Sequence, residues 1–182
     1  MTARCRLGKR RAMTPVPYTV LFLCTGNSAR SILSEALLTD LGGSRFRALS
    51  AGSQPSATTH PDGLAELRAH GHATRGYSSK SWDVFTEADA PQIDLVVTVC
   101  DSAAAESCPV YHGAALRVHW PAPDPAHIAD ENTRRQAFAD VYALCRSRIE
   151  ALIALSDSEL RDSQTLQMLQ AIGHEKAAPK GG

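Results

Sequence analysis

The chain has 182 residues, enough for one ordinary domain that buries a core of its own. Hydrophobic residues make up 43% and charged residues 21%, a globular composition that excludes a largely disordered or fibrous chain. Nineteen basic residues balance nineteen acidic ones, but Arg4, Arg6, Lys9, Arg10 and Arg11 precede every acid in the sequence. The body beyond them is net negative, the wrong sign for a nucleic-acid surface. No apolar run reaches the roughly eighteen residues of a membrane span. Five cysteines, Cys5, Cys24, Cys100, Cys108 and Cys145, are odd in number and irregularly spaced. That pattern opposes a secreted disulfide framework and predicts a reducing compartment, the cytoplasm, with reactive thiols. The basic start and the apolar run ending at Leu23 imitate a signal peptide, but Pro15 and Pro17 interrupt it and Leu23 is a poor cleavage residue. Met13 is an alternative start, since the residues before it read as a polar tail.

In chain order, Tyr18–Leu23 is a short β-favouring apolar run of the kind buried in a parallel sheet. Ile32, Leu33, Ala36, Leu37 and Leu41 predict an amphipathic helix over Ser31–Leu41, ended by Gly42 and Gly43. Phe46–Ser50 reads as a second strand, closed by Ala51 and Gly52. A helix opens near Thr59 with Pro61 in its first turn and stops at Gly71. Ile93–Val99 is the clearest buried strand, and Ala115–Trp120 a weaker fourth. From Asn132 the spacing of Phe138, Val141, Tyr142, Cys145, Ile149, Leu152 and Ile153 predicts a long helix, and a final helix is expected over Ser158–Ile172. Strands alternating with helices imply a single α/β domain over 17–173, a four-stranded parallel sheet flanked by helices, between a basic tail (1–16) and a Lys/Ala/Gly tail (174–182). Ligands of such sheets bind beyond the carboxyl ends of the strands, which places the turns after Leu23, Val99 and His119 around one crevice.

The first of those turns, Cys24-Thr25-Gly26-Asn27-Ser28-Ala29-Arg30-Ser31, separates a cysteine and an arginine by five residues between a strand and a helix. Backbone N–H groups converging at a helix start make a cradle for a tetrahedral oxyanion. Gly26 is expected to supply a backbone conformation closed to side chains. Arg30 can grip two oxygens of the anion, and the same field is expected to lower the Cys24 pKa, with Ser31 donating to the thiolate. The dinucleotide and Walker fingerprints are absent, so a nucleotide is not the expected ligand.

The stretch Val20-Leu-Phe-Leu-Cys-Thr-Gly-Asn-Ser-Ala-Arg-Ser31 resembles the low-molecular-weight tyrosine phosphatase superfamily, and within it the arsenate reductase branch. The resemblance continues through Leu49-Ser-Ala-Gly52, Asp94–Cys100, Cys108-Pro109, His119-Trp120 and Asp124-Pro125, covering about residues 18 to 155 in order. It implies a phosphatase-like loop on a four-stranded parallel sheet. Arsenate and phosphate share shape and charge, so the choice between them rests on Cys100 and Cys108. A phosphatase needs neither thiol, whereas a two-electron reductase needs somewhere to put the oxidation. The expected relay starts with Cys24 attacking arsenate. Cys100 then attacks Cys24, and Cys108 carries the disulfide outward to a thioredoxin-type reductant. In the family the segment between the last two cysteines loops out, and the Ala-rich stretch here lacks large apolar anchors against that motion.

By position, Asp124 matches the family's general acid. Two departures weaken the phosphatase reading: Ala126 follows Asp124-Pro125 where those phosphatases carry an aromatic, and Ala29 stands where they carry a second cysteine. Asn27, Glu35, Ser50 and Asp83 align with a monovalent-cation site of some thioredoxin-coupled relatives, so a potassium ion is expected there and no other cofactor. Cys100, Cys108, His112 and His119 fit no usual zinc spacing. Cys145 reads as structural and Cys5 as a spectator. The expected partners are arsenate and thioredoxin, without nucleic acid or membrane, and the expected state is a monomer. The alternatives are a phosphomonoesterase and a non-catalytic anion or redox sensor.

Overall fold

The computed structural model describes residues 16–107, 109–113 and 116–174. Strand β1 (Tyr18–Cys24) is buried along its whole length and is followed by α1 (Arg30–Gly42). Strand β2 (Phe46–Gly52), helix α2 (Pro61–Ala69), strand β3 (Leu95–Thr98) and the short helix α3 (Asp101–Ala105) come next. Strand β4 (Leu116–His119), the long helix α4 (Glu131–Ala154) and α5 (Thr165–His174) complete the fold. The four strands form one sheet in the order β2-β1-β3-β4, every neighbouring pair parallel, as the alternation of elements predicted.

Side chains alternate across a strand, so β1 feeds two different layers. Val20, Phe22 and Cys24 point into the larger core, built with α1, α2, α4 and α5. Leu21 and Leu23 point the other way, where Trp82, Phe85, Ile93 and Tyr111 cover the sheet without a long helix. Each fully buried Leu or Phe contributes roughly 1.5–3 kcal/mol relative to exposure. β1 carries four such residues, Leu21, Phe22 and Leu23 with Val20, all with 0% of their surface exposed. The strand that delivers Cys24 is thereby the most firmly held in the sheet.

Two elements differ from the sequence expectation. The helix expected over Ser158–Ile172 is broken into a 3-10 turn, Glu159–Arg161, and α5. The Asp162 carboxylate accepts the Gln164 N–H at 2.8 Å, a local bond that competes with helix continuation. Residues 101–105 form a helical turn in a stretch read as loop, because the Cys100 sulfur caps it by accepting the Ala103 N–H at 3.4 Å. Cys5, Cys108 and the tails apart from Val16 and His174 lie outside the described residues, and His174, expected in the tail, is the last residue of α5.

The end of the sheet is tied down from α4 and α5. Arg148, only 5% exposed, donates to the carbonyls of Pro121 and Gly173, both at 2.9 Å. The Trp120 indole donates to Leu169 O at 2.8 Å. α5 approaches so closely that a Cβ on Gly173 would lie 2.6 Å from both His119 O and Trp120 Cδ1. Gly173→Ala is therefore expected to lower unfolding stability by about 1–3 kcal/mol in a urea titration, the cost of overpacking a filled site. An unchanged midpoint would mean that α5 is not docked this tightly.

Candidate active site

Cys24 is the last residue of β1, and the chain turns from it into α1 through Thr25–Ala29. Its sulfur is 2.9 Å from Ser31 Oγ and accepts the Asn27 N–H at 3.1 Å. The turn is shaped by Asn27, whose φ of 44° makes it the one described non-glycine residue in the left-handed region. This corrects the expectation for Gly26, which is not among the residues with positive φ. A side chain on Gly26 would instead crowd Ser56, its Cβ 3.1 Å from Ser56 Oγ. The glycine that the loop most needs is Gly52, at the end of the neighbouring strand. A Cβ there would lie 2.4 Å from Thr25 O and 3.0 Å from Asn27 N.

Asn27 is fully buried and both polar atoms of its side chain are used. Its amide nitrogen donates to Ser31 Oγ at 3.0 Å and to Ser50 Oγ at 2.8 Å, while its oxygen accepts the Lys80 N–H at 2.8 Å. Ser50 Oγ donates in turn to the Glu35 carboxylate at 2.5 Å. Asn27, Glu35 and Ser50 thus form one chain of contacts behind the loop. Asp83 does not join them: it is exposed and pairs with Ser81 at the start of the 3-10 turn Trp82–Phe85.

Arg30, the first residue of α1, reaches across the mouth of the crevice. Its guanidinium pairs with Asp124 at 2.7 Å and donates to Ala122 O at 3.1 Å. Asp124 in turn accepts the Ala126 N–H at 3.0 Å, which fixes the carboxylate within its Pro-rich loop. Cys100 follows β3, and Thr25 Oγ1 lies 3.6 Å from its sulfur. The turns after β1, β3 and β4 therefore enclose one crevice of about 750 Å³ that holds Cys24, Arg30, Cys100 and Asp124 in its walls. Thr25, Gly26, Ser28 and Ala29 line it as well, whereas Asn27 and Ser31 stand behind it as supports.

The state of Cys24 differs from the expected low-pKa thiolate. Burial pushes its pKa up, and the hydrogen bonds from Ser31 and Asn27 pull against that rise. The positive group meant to stabilise a thiolate, Arg30, is engaged by Asp124. Burial also raises the Glu35 carboxyl, opposed by Ser50 and Lys80. Cys145 is buried against Ser34, whose hydroxyl lies 3.6 Å from its sulfur, in keeping with a structural part. His119 faces Asp101 and Thr98, at 3.0 and 2.9 Å, and His112 faces Glu87 O at 3.0 Å. Among the described residues no three His, Cys, Asp or Glu side chains are grouped to hold a metal ion. Sequence reasoning missed Lys80 and the structural part of Gly52. Gly52 carried a signal in the Ser-Ala-Gly that closes β2, but Lys80, in a polar stretch, carried none.

Ser31→Ala should raise the Cys24 pKa further and slow its alkylation by iodoacetamide at neutral pH, by up to about tenfold for each pKa unit. Because burial pushes the thiol's pKa up, the rate should climb as pH rises through the alkaline range. A faster Ser31→Ala variant would reverse the sign argued for that hydroxyl. Gly52→Ala should displace the loop backbone and cut Cys24 reactivity while the sheet persists, measured by alkylation alongside circular dichroism.

Residues 19–165 match the low molecular weight phosphotyrosine protein phosphatase family. The chain is similar to arsenate reductase 2 of Staphylococcus saprophyticus, 34% identical over 59% of this chain and 79% of that protein. It is also similar to the arsenate reductase of Bacillus subtilis, 30% identical over 65% of this chain and 82% of that one. Among solved structures it superposes on the arsenate reductase of Archaeoglobus fulgidus with a TM-score of 0.56 at 29% identity, covering 75% of this chain and 99% of that one. With a parallel four-stranded sheet, a Cys-to-Arg loop leading into α1 and a match over most of its length, the chain belongs to the low molecular weight phosphotyrosine protein phosphatase family.

Proposed function

We propose that the protein reduces arsenate to arsenite, passing the oxidation from Cys24 through Cys100 and Cys108 to a thioredoxin-type dithiol. The observation that carries this reading is the second buried thiol: Cys100 shares the crevice with Cys24 and touches Thr25 of the same loop. Hydrolysis of a phosphate ester has no use for it. The similarity to arsenate reductases from two bacteria supports the same choice.

In the first step the Cys24 sulfur attacks arsenic, and one oxygen leaves. The thiol's proton, relayed by Asp124, departs with that oxygen as water. The anion competes with Asp124 for Arg30, so binding frees the carboxylate at the moment when the guanidinium turns to the negative charge. Loop N–H groups and the start of α1, which has no side-chain cap, complete the stabilisation. Cys100 then attacks the Cys24 sulfur. The sulfur–arsenic bond breaks with its electron pair on arsenic, arsenite leaves with the Cys100 proton, and a Cys24–Cys100 disulfide remains. Cys108 attacks Cys100, Cys24 regains a proton as the leaving thiol, and the external dithiol reduces the Cys100–Cys108 bridge.

Two features suit this sequence of exchanges. The helix between the last two thiols, α3, spans five residues and buries only Ala103, so little buried surface holds the segment. No Phe, Tyr or Trp is among the described residues lining the crevice, and Ala126 stands at its mouth beside His127, so a phosphotyrosine ring would find no six-membered aromatic side chain there. Arsenate needs none. The reading also sets the enzyme in the cytoplasm, where reducing partners are present, and acting as a monomer.

The test is NADPH consumption with thioredoxin and thioredoxin reductase before and after arsenate is added. Sustained consumption is expected for the wild type. Cys108→Ser should stop after about one arsenite per enzyme, and mass spectrometry of the acid-quenched variant should find a Cys24–Cys100 bridge. Normal turnover by Cys108→Ser would overturn the relay. Steady hydrolysis of an aryl phosphate by the Cys100→Ser variant, with no arsenate reduction by the wild type, would make the protein a phosphatase. Disulfide formation without turnover would make it a sensor.

A further inference from the structure

Behind the reactive loop, Glu35 brings a largely buried carboxylate to Ser50, and a negative charge in such a place needs a positive partner. The expected potassium ion does not fit this set of donors. Asp83, its fourth member, faces Ser81 instead. The position facing Glu35 is held by the ammonium group of Lys80, which lies 4.0 Å from the Glu35 carboxylate. That ammonium donates to Ser50 O at 3.1 Å and to Ser78 O at 3.0 Å, the ligand types that a hard monovalent cation takes. The same residue's backbone N–H holds the Asn27 side-chain oxygen at 2.8 Å, so Lys80 is attached twice to the assembly that shapes the Cys24 turn.

We propose that Lys80 is a built-in monovalent cation: a positioning residue whose ammonium neutralises Glu35 and braces the Cys24 loop through Ser50 and Asn27, so that the site works without a bound potassium ion. The contacts run unbroken from Nζ to the reactive sulfur. Lys80 faces Glu35 and the Ser50 carbonyl, Ser50 Oγ accepts from Asn27, and Asn27 donates to both Ser31 Oγ and, through its backbone, Cys24 Sγ. Removing the charge leaves a carboxylate that repels the nascent thiolate and loosens Ser50. Truncating the side chain also opens a space with oxygen donors around it, sized for an ion carried on the end of four methylenes.

The inference rests on Cys24 being the reactive thiol, not on the identity of the anion, so it is tested by alkylation of Cys24 in the Cys100→Ser background. The reaction is followed at fixed ionic strength in potassium, ammonium or tetramethylammonium chloride. The unsubstituted Lys80 protein should react equally fast in all three salts. Lys80→Ala should react about tenfold more slowly in tetramethylammonium, the equivalent of one pKa unit at the thiol, and recover in potassium or ammonium. Lys80→Met, which keeps the stem and deletes the charge, should be slow in every salt because the stem fills the space. Three results would overturn the proposal: stimulation of the Lys80 protein by potassium, unchanged reactivity in Lys80→Ala, or a slow Lys80→Ala that no small cation rescues. Failure of both variants to fold in any salt would also overturn it, by making Lys80 a support of the fold at large. Because no arsenate enters the assay, these outcomes are independent of the reductase reading.

Discussion

The site depends on one buried amide. Asn27 satisfies its side-chain amide and its own N–H with different parts of the surroundings: Ser31 at the start of α1, Ser50 on β2, Lys80 beyond α2, and the Cys24 sulfur through the N–H. An unpaired buried polar group costs about 1–3 kcal/mol, so the backbone can hold φ of 44° at this residue only while those partners are in place. The strain and the hydrogen bonds support each other. Gly52 completes the arrangement from the side, because any larger residue would occupy the space of the Thr25 carbonyl.

The rest of the fold delivers the other walls of the crevice with different degrees of firmness. β1 is buried on both faces and places Cys24 rigidly. The loop after β4 is pinned from above by Arg148 on Pro121 O and from the crevice by Arg30 on Ala122 O, so Asp124 is positioned by two guanidinium groups. Cys100 sits between a firm strand and a weak helix. Its sulfur caps α3, and the nearby pair of His119 with Asp101 is largely solvent-exposed. Stability is thus concentrated where geometry must not change and is low along the segment that a thiol exchange requires to move.

The opposition between Arg30 and Cys24 has a physical logic of its own. The positive charge at the crevice mouth is satisfied by Asp124, and burial pushes the thiol's pKa up. A doubly charged anion changes both conditions at once, since it competes for the guanidinium and brings acceptors to the loop N–H groups.

Much of this was legible in the chain. Short β-favouring apolar runs and helical apolar spacing, punctuated by Gly42, Gly43 and Gly71, located the four strands and the helices α1, α2 and α4 to within a residue or two. The strand–turn–helix context of Cys24 and Arg30 located the crevice. Those features are local: they depend on the order of side chains along one element, which sequence records directly. What the tertiary structure decided was everything that depends on which side chain meets which across elements. The turn's strain fell on Asn27 and not on Gly26, because Ser31, Ser50 and Lys80 converge there from three places in the chain. Arg30 turned to Asp124, ninety-four residues away in sequence, and left the thiol to burial. The charge facing Glu35 came from Lys80, and Asp83 paired with Ser81, the cap of its own turn, because partners for a buried charge are chosen by distance in space, a quantity that residue order alone does not carry.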